Sequence, residues 1–212
     1  MRISRKELAL KTREALETTF PDSSCSLVID APERLAIRGI LSAQCTDVRV
    51  NMTCDELFEK YSSPQMLADA SEEEIALVIK PCGLYKAKAK SVKTFMTKFV
   101  GEWNYVVPQD VNELMTCPGV GKKIANLIVG EIYSIPAIVV DTHMKRVMYR
   151  IGITNNTDPL KVEADLCRHF EKDCWIKLGH MAVDLGRTYC SARAPKCDAC
   201  PLGSFCRKRV NV

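Results

Sequence analysis

The sequence predicts an all-α protein. Three observations carry that prediction. Helix-opening caps recur along the chain, at Ser4, Ser71, Asp110 and Asp158. Proline and glycine punctuate the stretches between them, notably at Pro81-Cys82-Gly83 and Pro118-Gly119-Val120-Gly121. The apolar–polar alternation that marks strands is nearly absent.

The elements follow in order. Ser4 to Glu7 reads as a capping box, after which Leu8, Ala15 and Leu16 share one face and charges take the other. Ser71 to Glu74 is a second capping box leading into Ile75, Val78 and Ile79, and Pro81-Cys82-Gly83 stops that helix. Asp110 caps a short helix that ends before Pro118. Ile138 to Val140 is short and apolar, which predicts a buried link and not a sheet. Asp158 with Pro159 at the first helical position opens a helix from Leu160 to Phe170. No tandem repeat and no low-complexity linker interrupts the chain.

Composition narrows the class. At 212 residues and 47% hydrophobic, the chain can bury a core in one domain or two small ones. No apolar run is long enough to span a bilayer. The opening Met1-Arg2-Ile3-Ser4-Arg5 lacks the apolar core of a signal peptide, so export is not expected. Eleven cysteines in such a chain argue for a reducing cytoplasm and not for a disulfide scaffold. The net charge of +4 permits a nucleic-acid partner without demanding one.

Two groups of residues carry chemistry. The chain closes on Cys190-x6-Cys197-x2-Cys200-x5-Cys206, beside only three histidines in the whole protein. Four thiolates this close read as one site for iron–sulfur or for zinc. The other seven cysteines, Cys25, Cys45, Cys54, Cys82, Cys117, Cys167 and Cys174, have no ligand spacing and read as small buried hydrophobes or free thiols. Upstream, Pro118-Gly119-Val120-Gly121 cannot continue a helix, while Lys122 onward can. Such a hairpin aims backbone N–H groups and a helix N-terminus outward, which suits a DNA phosphate; taken alone, it is a common turn between helices. Lys123 lies just inside the second helix, where the dipole disfavours a cation and so favours a neutral, nucleophilic amine. Asp141 ends an apolar stretch and offers a carboxylate to take a proton or to stabilise positive charge on a sugar ring. Singly, these two residues read as a solvated lysine and a helix-capping aspartate.

The combination is more specific. The stretch from Leu114 to Val147, LMTCPGVGKKIANLIVGEIYSIPAIVVDTHMKRV, closely resembles endonuclease III, the bifunctional DNA glycosylase family, as do Leu41 to Asp47, Gly83-Leu84-Tyr85-Lys86 and the terminal cysteines. The resemblance runs from about residue 25 to Cys206. It implies a helix–hairpin–helix glycosylase fold with the DNA cleft between two all-helical domains. One is a six-helix barrel at 25–135. The other joins 1–24 to 136–212 and carries a [4Fe–4S] cluster on Cys190, Cys197, Cys200 and Cys206. The resemblance further implies that Lys123 is the Schiff-base nucleophile and Asp141 its acidic partner. Gln44 fills the gap left by an extruded base, and Leu84 is a wedge from the other side. Extruding a base costs a few kcal/mol, which a polar plug and an apolar wedge partly offset. The plainer alternatives are that Gln44 caps a helix and Leu84 is core.

Ligation would hold Arg193 and Lys196 on a rigid loop facing phosphates, with Arg187, Arg207, Lys208 and Arg209 as a basic rim; for any single one, a solvated charge is the plainer reading. The implied partner is double-stranded DNA with damaged bases or abasic sites, met by a cytoplasmic monomer. Three residues depart from the family's usual text: Arg38, Cys45 and Ile124 stand where small or apolar residues, alanine and threonine are common. Arg38 and Cys45 are expected to border the base pocket and to bear on the choice of lesion. Two rival readings remain. A monofunctional adenine or mismatch glycosylase generally lacks the lysine at 123. A non-enzymatic cluster protein sensing redox state or damage would have no use for both Lys123 and Asp141.

Overall fold

The structure is a computed structural model describing residues 3–210. Among the described residues there are eleven α-helices, two short 3-10 turns and no strand. The chain divides into two compact units, one formed by 25–135 and the other by 1–24 with 136–212.

The 25–135 unit contains α2 (Pro32–Leu41), α3 (Asp47–Lys60), α4 (Pro64–Asp69), α5 (Glu72–Val78), α6 (Tyr85–Gly101), α7 (Val111–Leu114) and α8 (Lys122–Tyr133). Caps define most of the starts. Thr46, Ser63 and Asp110 each accept a first-turn N–H, and Ser71 with Glu74 completes a reciprocal capping box. The sequence places the stop of α5 at Pro81; the helix ends sooner, at Val78, and Pro81 sits inside a 3-10 turn, Lys80–Cys82, closed by Gly83 at φ 65°. Helix α6 is central and packs on α2, α4 and α5. Its Phe95 lies edge-on to Trp103 and stacked with Phe99. Gly39 lets α2 meet α8: a Cβ there would come within 2.9 Å of Ile124 Cγ2. The departure at Ile124 is therefore a packing feature of these two helices.

Arg38 does not border a base pocket. It is 1% exposed, its guanidinium is paired with Asp30 and lies 3.6 Å from Asp55, and it sits over the Phe58 ring. A buried arginine needs a carboxylate to offset its desolvation, and Asp30 supplies it through both oxygens.

The second unit contains α1 (Arg5–Thr19), α9 (Thr142–Ile151), α10 (Pro159–His169) and α11 (Trp175–Thr188), followed by a helix-free stretch holding the four terminal cysteines. Leu8 and Leu16 of α1, Val147 and Met148 of α9, Leu166 of α10 and Met181 and Leu185 of α11 share one core with Leu202. Ser4 caps α1 by accepting from the Glu7 N–H, but Glu7 pairs with Lys11 at 3.6 Å and only one half of the expected box is formed. Ile138–Val140 is irregular and partly buried, a link as predicted.

Candidate active site and cysteine cluster

The hairpin from Met115 to Gly121 joins α7 to α8. Gly119 takes φ 82°, where an L side chain is strained, and a Cβ on it would meet Ser91 Oγ at 2.7 Å. This glycine is required twice over. Gly121 differs: its φ is −86°, nothing stands within 4 Å of a Cβ placed there, and it serves as the N-cap of α8. The Ile124 and Ala125 N–H groups bond back to the Gly121 carbonyl, so the ladder starts there and the amides of Gly119 and Gly121 lie outside it. Val120 turns its side chain into the core, 3% exposed, and its N–H donates to the Cys117 carbonyl at 3.0 Å. Lys122 is half-buried and Lys123, at the second position of α8, is exposed.

Asp141 caps α9. Its carboxylate accepts the Met144 N–H at 2.7 Å, and it is half-buried. One oxygen is thereby fixed while the group remains accessible. Lys123 stands in the 25–135 unit and Asp141 in the other.

Gln44 and Leu84 share an unusual backbone. Both have left-handed φ, 54° and 48°, with no glycine to relieve the strain. Such strain persists where the surroundings over-determine it and clusters at functional sites. Both side chains are exposed; Leu84 is 58% exposed, which excludes the reading of it as core. Gln44 lies in the turn between α2 and α3 and caps neither. Leu84 precedes α6 directly.

Lys88 was not singled out from the sequence. It is 5% exposed, and its Nζ donates to the carbonyls of Leu41 at 2.9 Å, Ala43 at 2.7 Å and Cys82 at 2.8 Å. Burial pushes its amine below the ordinary lysine range, opposed by the neighbouring Cys82 and Cys45 thiols. Lys86 and Lys90, one helical turn apart, are exposed on the other face of α6. The usable signal was helical phase, because Lys88 falls on the buried stripe with Val92, Phe95 and Phe99.

Cys190, Cys197, Cys200 and Cys206 line one hollow with Arg150, Tyr189, Pro195, Gly203, Lys208 and Val210. Gly203 is required by space: a Cβ would meet the Cys197 and Cys200 carbonyls at 2.9 and 3.0 Å. Donors already point at sulfur, from Arg150 Nη1 to Cys190 at 3.6 Å and from the Lys208 amide to Cys206 at 3.4 Å. That is the environment of thiolates held by a metal group. Four cysteines around one hollow, with N–H donors aimed at two of the sulfurs, make a lining that fits a thiolate-held metal group.

The loop from Cys190 to Cys197 is held by the protein itself. Arg150 donates to the carbonyls of Ser191 and Ala192 at 2.7 and 2.9 Å, and the Lys196 N–H bonds to Tyr189 at 2.7 Å. Arg146 anchors its base, through Nε to the Cys190 carbonyl at 2.9 Å. Arg193 and Lys196 are exposed on it. The expected rim is narrower than the sequence implied. Arg209 reaches the Thr154 carbonyl and Asn155 and sits over the Tyr149 ring, and Arg207 donates to Ile3. Those two fasten the C-terminal stretch to the fold, while Arg187 and Lys208 are exposed. Of the remaining cysteines, burial pushes the thiols of Cys25, Cys117 and Cys174 to about 11 and that of Cys54 to about 12, which keeps them protonated and inert.

Comparison with known proteins identifies the fold and the family together. Residues 37–172 match the HhH-GPD superfamily, described as base excision DNA repair proteins. The chain is 40% identical over 190 residues to endonuclease III of Bacillus subtilis, covering 89% of this chain and 87% of that one. It is 37% identical over 204 residues to endonuclease III of Synechocystis, covering 96% and 93%. It superposes with a TM-score of 0.90, at 37% identity and 97% coverage of both chains, on an endonuclease III trapped in a covalent intermediate with DNA. A non-covalent endonuclease III–DNA complex matches equally well, with a TM-score of 0.90. The chain therefore belongs to the HhH-GPD superfamily of base excision DNA repair proteins, and within it to the endonuclease III family.

Proposed function

We propose that this protein removes damaged, oxidised pyrimidines from duplex DNA and then cleaves the abasic strand, with Lys123 as nucleophile and Asp141 as its acidic partner. The observation that carries the reading is an exposed lysine one residue inside α8, directly behind a hairpin whose Gly119 cannot be replaced, in a chain of this family. The Lys123 amine attacks C1′ of the sugar and the base departs with the C1′–N bond electrons, taking up a proton. Ring opening leaves an imine between Nζ and C1′. Loss of a C2′ proton then expels the 3′ phosphate by β-elimination. The Asp141 carboxylate, oriented by the Met144 N–H, stabilises the positive charge that grows on the sugar as the base leaves.

The hairpin backbone at Gly119, Val120 and Gly121, with Lys122, receives a DNA phosphate, and Arg193 and Lys196 receive others. Gln44 fills the space of the extruded base and Leu84 enters the stack. Cys190, Cys197, Cys200 and Cys206 hold a [4Fe–4S] cluster, which when bound supplies a rigid anchor for the 190–206 loops. The protein acts as a monomer in the cytoplasm.

Two measurements test this. Purified protein incubated with a duplex containing an abasic site should nick it and become trapped on it by borohydride; an intact abasic strand would remove the lyase assignment. The same preparation should be yellow-brown and contain iron and sulfide. A colourless protein with one stoichiometric zinc would replace the cluster assignment.

A further inference from the structure

Lys88 joins the two segments that carry Gln44 and Leu84. Its ammonium has three N–H donors, and each is spent on a backbone carbonyl. Leu41 and Ala43 lie just before Gln44, at the end of α2 and in the turn after it. Cys82 closes the 3-10 turn two residues before Leu84. These acceptors are 47, 45 and 6 residues away in sequence. One atom thus sets the spacing of two turns that no regular element connects directly. Desolvating a lysine is costly unless all its donors are met. Here they are met by carbonyls alone, with no carboxylate among the acceptors.

The same two turns present the left-handed residues Gln44 and Leu84, both exposed. A left-handed backbone at a non-glycine residue relaxes unless its neighbours hold it. The hydrogen bonds from Lys88 supply that hold at both turns.

We infer that Lys88 is a positioning residue for base extrusion, a buried tie that keeps Gln44 and Leu84 at the separation needed to enter the stack from opposite sides of one nucleotide. The inference rests on the proposed insertion of those two side chains. It adds a residue that never meets DNA and acts through both. Its effect belongs to the step that unstacks a base. Chemistry on a site already lacking its base proceeds without it.

The test uses the full-length, cluster-loaded protein under single-turnover conditions. One duplex carries thymine glycol and a second carries a preformed abasic site at the same position. Lys88→Met keeps the length of the side chain and removes the donors. It should slow base release from thymine glycol by tenfold to about a hundredfold, the scale of a misplacement of roughly an ångström. Cleavage of the abasic duplex should stay within about threefold. Combining Lys88→Met with Leu84→Ala should be no slower than the slower single variant, because the two changes disable one event.

Equal losses on both duplexes, or losses that multiply in the double variant, would overturn the inference. Should Lys88→Met fail to fold, Lys88→Gln, which retains an amide donor, is read by the same ratio. Failure of both to fold makes Lys88 a scaffold residue and also overturns it. The underlying reading is checked separately. If Gln44→Ala and Leu84→Ala leave release of thymine glycol unchanged, insertion itself is wrong; if they slow it and Lys88→Met does not, only the tie is wrong.

Discussion

Lys123→Ala is expected to abolish borohydride trapping and β-elimination while the protein stays folded and coloured. The structure makes this substitution unusually clean. Lys123 is exposed, at the second position of α8, and no part of the core rests on it. Alanine is the best helix former, so the helix keeps its first turn. Losing the nucleophile removes the imine, and with it the only route to elimination, so activity should fall by about a thousandfold or more. Lys122 is the natural control. It is half-buried and one residue closer to the hairpin, so Lys122→Ala should weaken binding to DNA, most at low salt and with a shallower salt dependence, and leave trapping of bound substrate intact. If Lys123→Ala traps as well as the parent protein, the amine that attacks is another, and Lys122 is the first to examine.

Much of this was legible in the sequence because it was written in short-range signals. Caps at Ser71, Asp110 and Asp158 act within three residues and appear where expected. The hairpin is equally local, although its two glycines do different work: Gly119 is forced by φ and by Ser91, while Gly121 only caps. What was hidden depends on partners far along the chain. Arg38 looked like a pocket residue because its partner Asp30 lies eight residues back, before the helix begins. The role of Lys88 is hidden because its acceptors are backbone carbonyls, which leave no trace in side-chain identity. Arg150 likewise braces the cysteine loop through the Ser191 and Ala192 carbonyls. The basic rim shrank for the same reason, since the text at Arg207 and Arg209 does not reveal that both are tied back to the fold.

Asp141→Asn should separate loss of the base from cleavage of the sugar. Asp141 has two duties in this structure, and the asparagine variant removes one of them. Its carboxylate caps α9 through the Met144 N–H, a duty that asparagine performs about as well as aspartate. The charge is what the substitution deletes. On an intact lesion the departing base leaves positive charge on the sugar, and a fixed carboxylate lowers that barrier. Base release should therefore fall by about a hundredfold or more. On a preformed abasic site the base is already gone, so Lys123 can still form an imine and part of the trapping should survive. Asp141→Ala is the informative contrast. It loses the cap as well and should cost about 1 kcal/mol of stability, visible as a lower melting temperature that Asp141→Asn does not share. Equal losses on intact and abasic duplexes for Asp141→Asn, with an unchanged melting temperature, would assign the carboxylate to imine chemistry and remove it from base departure.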